Sequence, residues 1–254
     1  MGLEVLISLG FYEFVEPSMV KSLSSENLVH YFGMIRLIST ILVFTIIFTV
    51  FFRNVFHLEQ AFVKAKKIKF EILLYLLILT IGLELFDRAI LDLDLIYNFL
   101  SSGLVIPYES SESSSIAIIY TGISGLIIAP IFEELFFRKF LFVELTKKYS
   151  LVTSIIVSSV LFSAVHLPIY SNLVPTFIFG ITACLIYHKT RNIFYCIILH
   201  FLGNLTWLLL EAYGGTYYEW LYGLNFDIYY WLLFIIGFAL IYFAIKKITV
   251  ANII

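Results

Sequence analysis

The sequence predicts an all-α, polytopic membrane protein: a transmembrane helical bundle of about seven spans plus an N-terminal interfacial helix. Three observations predict it. Of the 254 residues, 61% are hydrophobic and 13% charged, and mean hydropathy is +0.98, more apolar surface than one soluble core can hide. The apolar residues fall in runs of about 20, the length that crosses a hydrocarbon layer at a rise of roughly 1.5 Å per residue. Basic residues gather in alternate connections, as they do in a chain threaded back and forth through a membrane.

Residues 3–20 are apolar but interrupted by Glu4, Glu13, Glu16 and Pro17, a pattern that suits a helix lying in the interface better than a span. Spans are expected near 34–52 and 68–86. The outer loop that follows ends in the solvated run from Glu109 to Ser115, and its stretch 90–106 has the character of an interfacial or re-entrant segment. Five further spans are expected near 116–142, 151–168, 173–188, 193–211 and 229–245. Arg53, Lys64, Lys66, Lys67 and Lys69, then Lys139, Lys147 and Lys148, then Lys189 and Arg191, then Lys246 and Lys247 all fall on one side. The positive-inside rule makes that side, and with it the C-terminus, cytoplasmic. The chain thus divides into residues 1–110, comprising the interfacial helix, two spans and the outer loop, and residues 111–254, the remaining helical core. The N-terminus lacks a basic cleavable leader and the C-terminus a lipidation cysteine, so the chain is expected to be retained whole.

Nucleic-acid binding has no support. The net charge of −2 says nothing about partners, because charge in a membrane protein informs by placement and not by sum. Cys184 and Cys196 sit in apolar runs without CxxC or Cys/His spacing and read as small buried hydrophobes. An Ile- and Phe-rich, Ala-poor composition fits an AT-rich bacterial genome, hence a bacterial plasma membrane.

The third expected span carries the most expensive residues. Glu133, Glu134 and Arg138 lie inside the apolar run that begins at Pro130, and each central charge costs roughly 2.5–3.5 kcal/mol on insertion scales. Glu134 and Arg138, one turn apart, can pair; Glu133 is rotated by about 100° from them. The fourth span ends in Phe162-Ser-Ala-Val-His166, and the sixth contains His200-Phe-Leu-Gly-Asn204. Each alone reads as an ion pair or an interhelical clamp. Together they supply what hydrolysis needs: a carboxylate to take a proton from water, imidazoles to orient or shuttle it, and His plus Asn to donate to an oxyanion. Counting rise from the expected cytoplasmic helix ends places His200 about 10 Å, Glu133 about 15 Å and His166 about 22 Å deep, and shifting the ends by one turn closes most of the gap.

Glu133-Glu134-xxx-Arg138, Phe162-xxx-His166 and His200-xxx-Asn204, in this order, resemble the CAAX protease and bacteriocin-processing (CPBP, or Abi) family of intramembrane proteases. The resemblance runs from about Gly122 to Trp207; Lys139, where the family usually has glycine, departs from it. It implies an all-helical bundle whose motifs converge on a polar cavity. Glu133 would be the general base and His166 would help hold the water. His200 and Asn204 would donate to the oxyanion, and Glu134 with Arg138 would orient the site. The implied substrate is a peptide or protein with a membrane-proximal cleavage site, such as a CAAX-type C-terminus, a leader peptide or a pheromone. Members are commonly labelled metalloproteases, and Glu133, His166 and His200 could hold zinc or another divalent metal with one position open. There is no HExxH, and the preferred reading is a glutamate-activated water with no cofactor required. Two other readings compete: a non-catalytic immunity or regulatory protein that binds a bacteriocin or sensor partner, and a proton-coupled transporter, which the lack of inverted repeats disfavours.

Overall fold

The computed structural model describes residues 25–51, 68–90, 93–103, 119–120, 122–167 and 172–251, and every regular element among them is helical. The expected interfacial stretch 3–20 and the Ser-rich run 109–115 lie outside the described residues.

Helix α1, Ser25–Ile46, continues as a π-helical turn, Ile47–Phe51. Helix α2 is Phe70–Ile90, and α3 is the short Leu93–Ser102. Helix α4 is composite, running through Ile123–Ile128 (π), Ala129–Glu134 (α), Leu135–Phe142 (π) and Val143–Thr146 (α). Then come α5, Leu151–Ala164; α6, Leu173–Thr190; α7, Ile193–Tyr213; α8, Gly215–Gly223; and α9, Ile228–Ala251.

Caps explain the turns. Ser150 accepts from the Thr153 amide at the start of α5, and Asn192 accepts from the Phe194 amide at the start of α7, each satisfying a donor the first turn leaves orphaned. Between α6 and α7, Arg191 takes the left-handed conformation, φ 52°, which stops α6 and turns the chain. Asp227 accepts from the amides of Tyr229 and Tyr230 and so opens α9.

Lipid supplies no hydrophobic drive between helices, so close backbone approach must do the work. Helices α2 and α9 pack along each other and meet at Gly82 and Gly237. A Cβ on Gly237 would stand 2.6 Å from the Phe86 amide nitrogen and 2.8 Å from the Gly82 carbonyl oxygen. At the end of this seam Lys69 donates through Nζ to the Ala251 carbonyl, 2.7 Å, one of the carbonyls a helix C-terminus leaves open. Helices α5 and α6 meet the same way: a Cβ on Gly180 would lie 2.9 Å from that of Ser159. Cys184 and Cys196 are buried free thiols in the core.

The expected seven spans are not all found. Four helices among the described residues are long and apolar enough to cross a membrane: His30–Thr49, Leu173–Thr190, Ile193–Tyr213 and Ile228–Ala251. Helix α5, at 14 residues, is about 21 Å long, short of a hydrocarbon core. Helix α2 carries Glu71, Glu84, Asp87 and Arg88, and α4 is broken by its π segments and its charges.

Candidate active site

Two consecutive glutamates on α4 point to different worlds. Glu134 is wholly buried. Its Oε1 lies 3.1 Å from Arg138 Nη1, the pair that the four-residue spacing allows, and 2.9 Å from His200 Nδ1 on α7. Arg138 is equally buried. The desolvation of two charges is costly, and their attraction repays it only in close geometry. Glu133, one residue back and 19% exposed in its side chain, lines a cavity of about 640 Å³ that His166, His200 and Asn204 also line. Its Oε2 has no hydrogen-bond partner among the described residues and stands 4.0 Å from His200 Nε2.

The hydrogen bonds settle which imidazole nitrogen faces the cavity with what. A carboxylate paired with arginine only accepts, so His200 Nδ1 carries the proton it gives to Glu134. Neutral His200 therefore presents a lone pair on Nε2, and a second proton there would make it a donor backed by the Glu134 charge. His166 sits in the turn after α5, where its Nδ1 donates to the Phe162 carbonyl at 2.9 Å, again leaving Nε2 as the open atom.

Asn204 is anchored by a consequence of Pro130. In the π register of α4 the Ala129 amide bonds to the Ser124 carbonyl, five residues back. The same register would pair the Gly125 carbonyl with the amide of residue 130, but proline has none. Asn204 Nδ2 takes that place, donating to Gly125 O at 2.6 Å. One of its two amide hydrogens is thereby committed to structure, and the other remains for the cavity that the residue lines.

Glu133 and His200, expected at unequal depths, approach to 4.0 Å across the cavity. His166 shares the cavity wall, but the proposed metal donors do not gather. No group of three His, Cys, Asp or Glu among the described residues is arranged to hold a metal ion, so Glu133, His166 and His200 do not fit the ligand set that their residue types suggest.

Sequence reasoning missed part of the wall. Glu84 and Asp87 line the same cavity from α2, with Thr80 beside them. The signal was a polar stripe at spacings of three and four, 80, 84 and 87, on one helical face.

Fold and site together define a helical membrane protein with a carboxylate–imidazole cavity. Residues 115–206, which hold Glu133, Glu134, Arg138, His166, His200 and Asn204, match the family model described as Type II CAAX prenyl endopeptidase Rce1-like; over that stretch the chain is similar to that family. No curated protein and no solved structure matches the chain.

Proposed function

We propose that this protein is an intramembrane endopeptidase that hydrolyses a peptide bond with a water activated by Glu133. The observation that carries the reading is the 4.0 Å gap between Glu133 Oε2 and His200 Nε2. That is too long for a hydrogen bond, but a water about 2.8 Å from each atom fits it, with an angle of about 90° at the oxygen. Such a water gives one hydrogen to the carboxylate and one to the imidazole, and keeps its lone pairs for the carbonyl carbon.

In this reading Glu133 removes the proton as the carbon–oxygen bond forms, and later delivers it to the leaving amine. The free amide hydrogen of Asn204 donates to the tetrahedral oxyanion, while neutral His200, held by Glu134 through Nδ1, keeps the second hydrogen of the attacking water in a hydrogen bond to Nε2. His166 borders the water, and Arg138 holds the Glu134 carboxylate in place. The family match supports a CAAX-type peptide as substrate, with leader and pheromone peptides as further candidates. The basic turns at Lys147, Lys148, Lys189 and Arg191 support a cytoplasmic C-terminus in a bacterial plasma membrane and cleavage in the cytoplasmic half.

The test is product analysis with purified protein in nanodiscs, offered farnesylated CAAX peptides and unprenylated leader peptides in ¹⁸O-water. Wild type should release a fragment with one ¹⁸O in its new carboxylate, and Glu133→Gln should release none. Cleavage by Glu133→Gln at the wild-type rate would remove the base assignment.

A further inference from the structure

Arg138 presents a problem that the ion pair with Glu134 does not solve. Its guanidinium is fully buried, one of its nitrogens faces Glu134, and Nε and Nη2 have no hydrogen-bond partner among the described residues. A guanidinium carries five N–H donors, and leaving them bare in a dry interior is costly. What surrounds them is aromatic. The Arg138 Cζ lies 4.2 Å from the centroid of the Phe162 ring and 5.6 Å from that of Phe179, both within the range at which a ring face attracts a cation.

The same two rings touch the histidines. Phe162 stands edge-on to His200, with centroids 5.8 Å apart and planes at 81°, and 5.1 Å from His166. Phe179 lies 5.0 Å from His200 and 5.7 Å from Phe162. The Phe162 carbonyl is also the acceptor that fixes the His166 ring. One residue of α5 therefore meets the arginine, both imidazoles and, through Arg138, the buried glutamate.

We propose that Phe162, assisted by Phe179, is a positioning residue: an aromatic clamp that stands in for the missing hydrogen-bond partners of Arg138 and, by holding that cation, sets where Glu134 presents His200 Nε2 to the water. The clamp deepens the protease reading and rests on it for its effect on catalysis, while its structural half stands independently. Its signature is electronic, since a leucine of similar bulk fills the space without offering a face to the cation.

The experiment has two arms. In the first, ¹⁵N-arginine-labelled protein in nanodiscs is observed by NMR, with the Arg138 Nε–H resonance assigned by its loss in Arg138→Lys. Wild type should show this proton shifted upfield by the ring beneath it and slow to exchange; Phe162→Leu should abolish the shift, and 3,5-difluorophenylalanine at 162, with a weakened face in nearly the same volume, should speed exchange. An Arg138 proton at the ordinary position in wild type, or one unmoved by Phe162→Leu, overturns the clamp. The second arm measures the pH profile of kcat on the CAAX peptide. Phe162→Leu should lower kcat by up to about thirtyfold, the full worth of a desolvated cation–π contact, and displace the profile, with the fluorinated residue intermediate. An unchanged kcat and profile in Phe162→Leu, beside an inactive Glu133→Gln, overturns the positioning role. If wild type itself cleaves nothing, the protease reading fails and the first arm alone decides the clamp.

Discussion

Along α2 and α9 two backbones touch through Gly82 and Gly237, with no charge at the crossing; along α4 and α7 the contacts are Glu134 to His200 and Asn204 to the Gly125 carbonyl. Both seams solve the same difficulty, that lipid gives apolar side chains little reason to prefer each other. The first solves it by van der Waals contact and is simple α-helix throughout. The second uses buried polar groups, two π-helical stretches and a proline whose missing amide frees a carbonyl. That is an expensive way to join two helices, and the expense coincides with the cavity. The difference separates what holds the bundle from what the bundle holds.

The comparison can be broken first at Arg138. Arg138→Met leaves Glu134 buried without its cation, which should destabilise the protein by about 3–5 kcal/mol. Adding Glu134→Leu should restore much of the stability but no activity. Thermal unfolding of the single and double variants in detergent reads this directly, and equal melting points for Arg138→Met and wild type would show that the pair contributes nothing. At the other seam, Gly237→Ala drives a methyl into the backbone of α2. It should lower stability by about 1–3 kcal/mol, as overpacking does, while the folded fraction keeps its kcat. Gly82→Ala, whose Cβ would meet neighbours at 3.0–3.1 Å, should be milder.

The Pro130 argument sharpens the contrast further. Asn204→Leu should cost about 1–3 kcal/mol, because the Gly125 carbonyl loses its partner. Pro130→Ala supplies an amide at the position the π register needs, so in that background the cost of Asn204→Leu should shrink. Additive effects in the double-mutant cycle would refute the link between proline and asparagine. The smallest effect expected is from chelation. Since Glu133, His166 and His200 do not assemble as a ligand set, dialysis against a chelator should leave cleavage unchanged, and loss restored by zinc would contradict this.

Much of the site was legible because charge in an apolar run is conspicuous and helical spacing is rigid. The i, i+4 relation of Glu134 to Arg138 needed only the period of a helix, and the three motifs together pointed to helices that line the cavity. The rotation of about 100° between neighbours was legible too, but that it leaves Glu133 on the cavity and Glu134 wholly buried came only from the structure. The span count was not legible, because hydropathy windows see composition and not length: α5 ends after 14 residues, and α2 has an acidic face turned to the cavity. Nor were the π segments of α4, which shift helix register and which a count at α-helical rise leaves out. Phe162 was visible as part of a spacing motif, but its ring counts only once Arg138 lies over it. Glu84 and Asp87 needed the knowledge that α2 lines the cavity, which is tertiary information.

The central claim is that Glu133 acts on water while Glu134 acts on structure. The most direct measurement is therefore kcat and unfolding temperature for Glu133→Gln and Glu134→Gln, side by side. Glu133→Gln should lose cleavage by at least about 10²-fold, the usual worth of a general base, at an unchanged melting point. Glu134→Gln should melt lower because Arg138 is left uncompensated. A Glu133→Gln protein that still cleaves, or a Glu134→Gln protein as stable as wild type with its activity intact, would contradict the account.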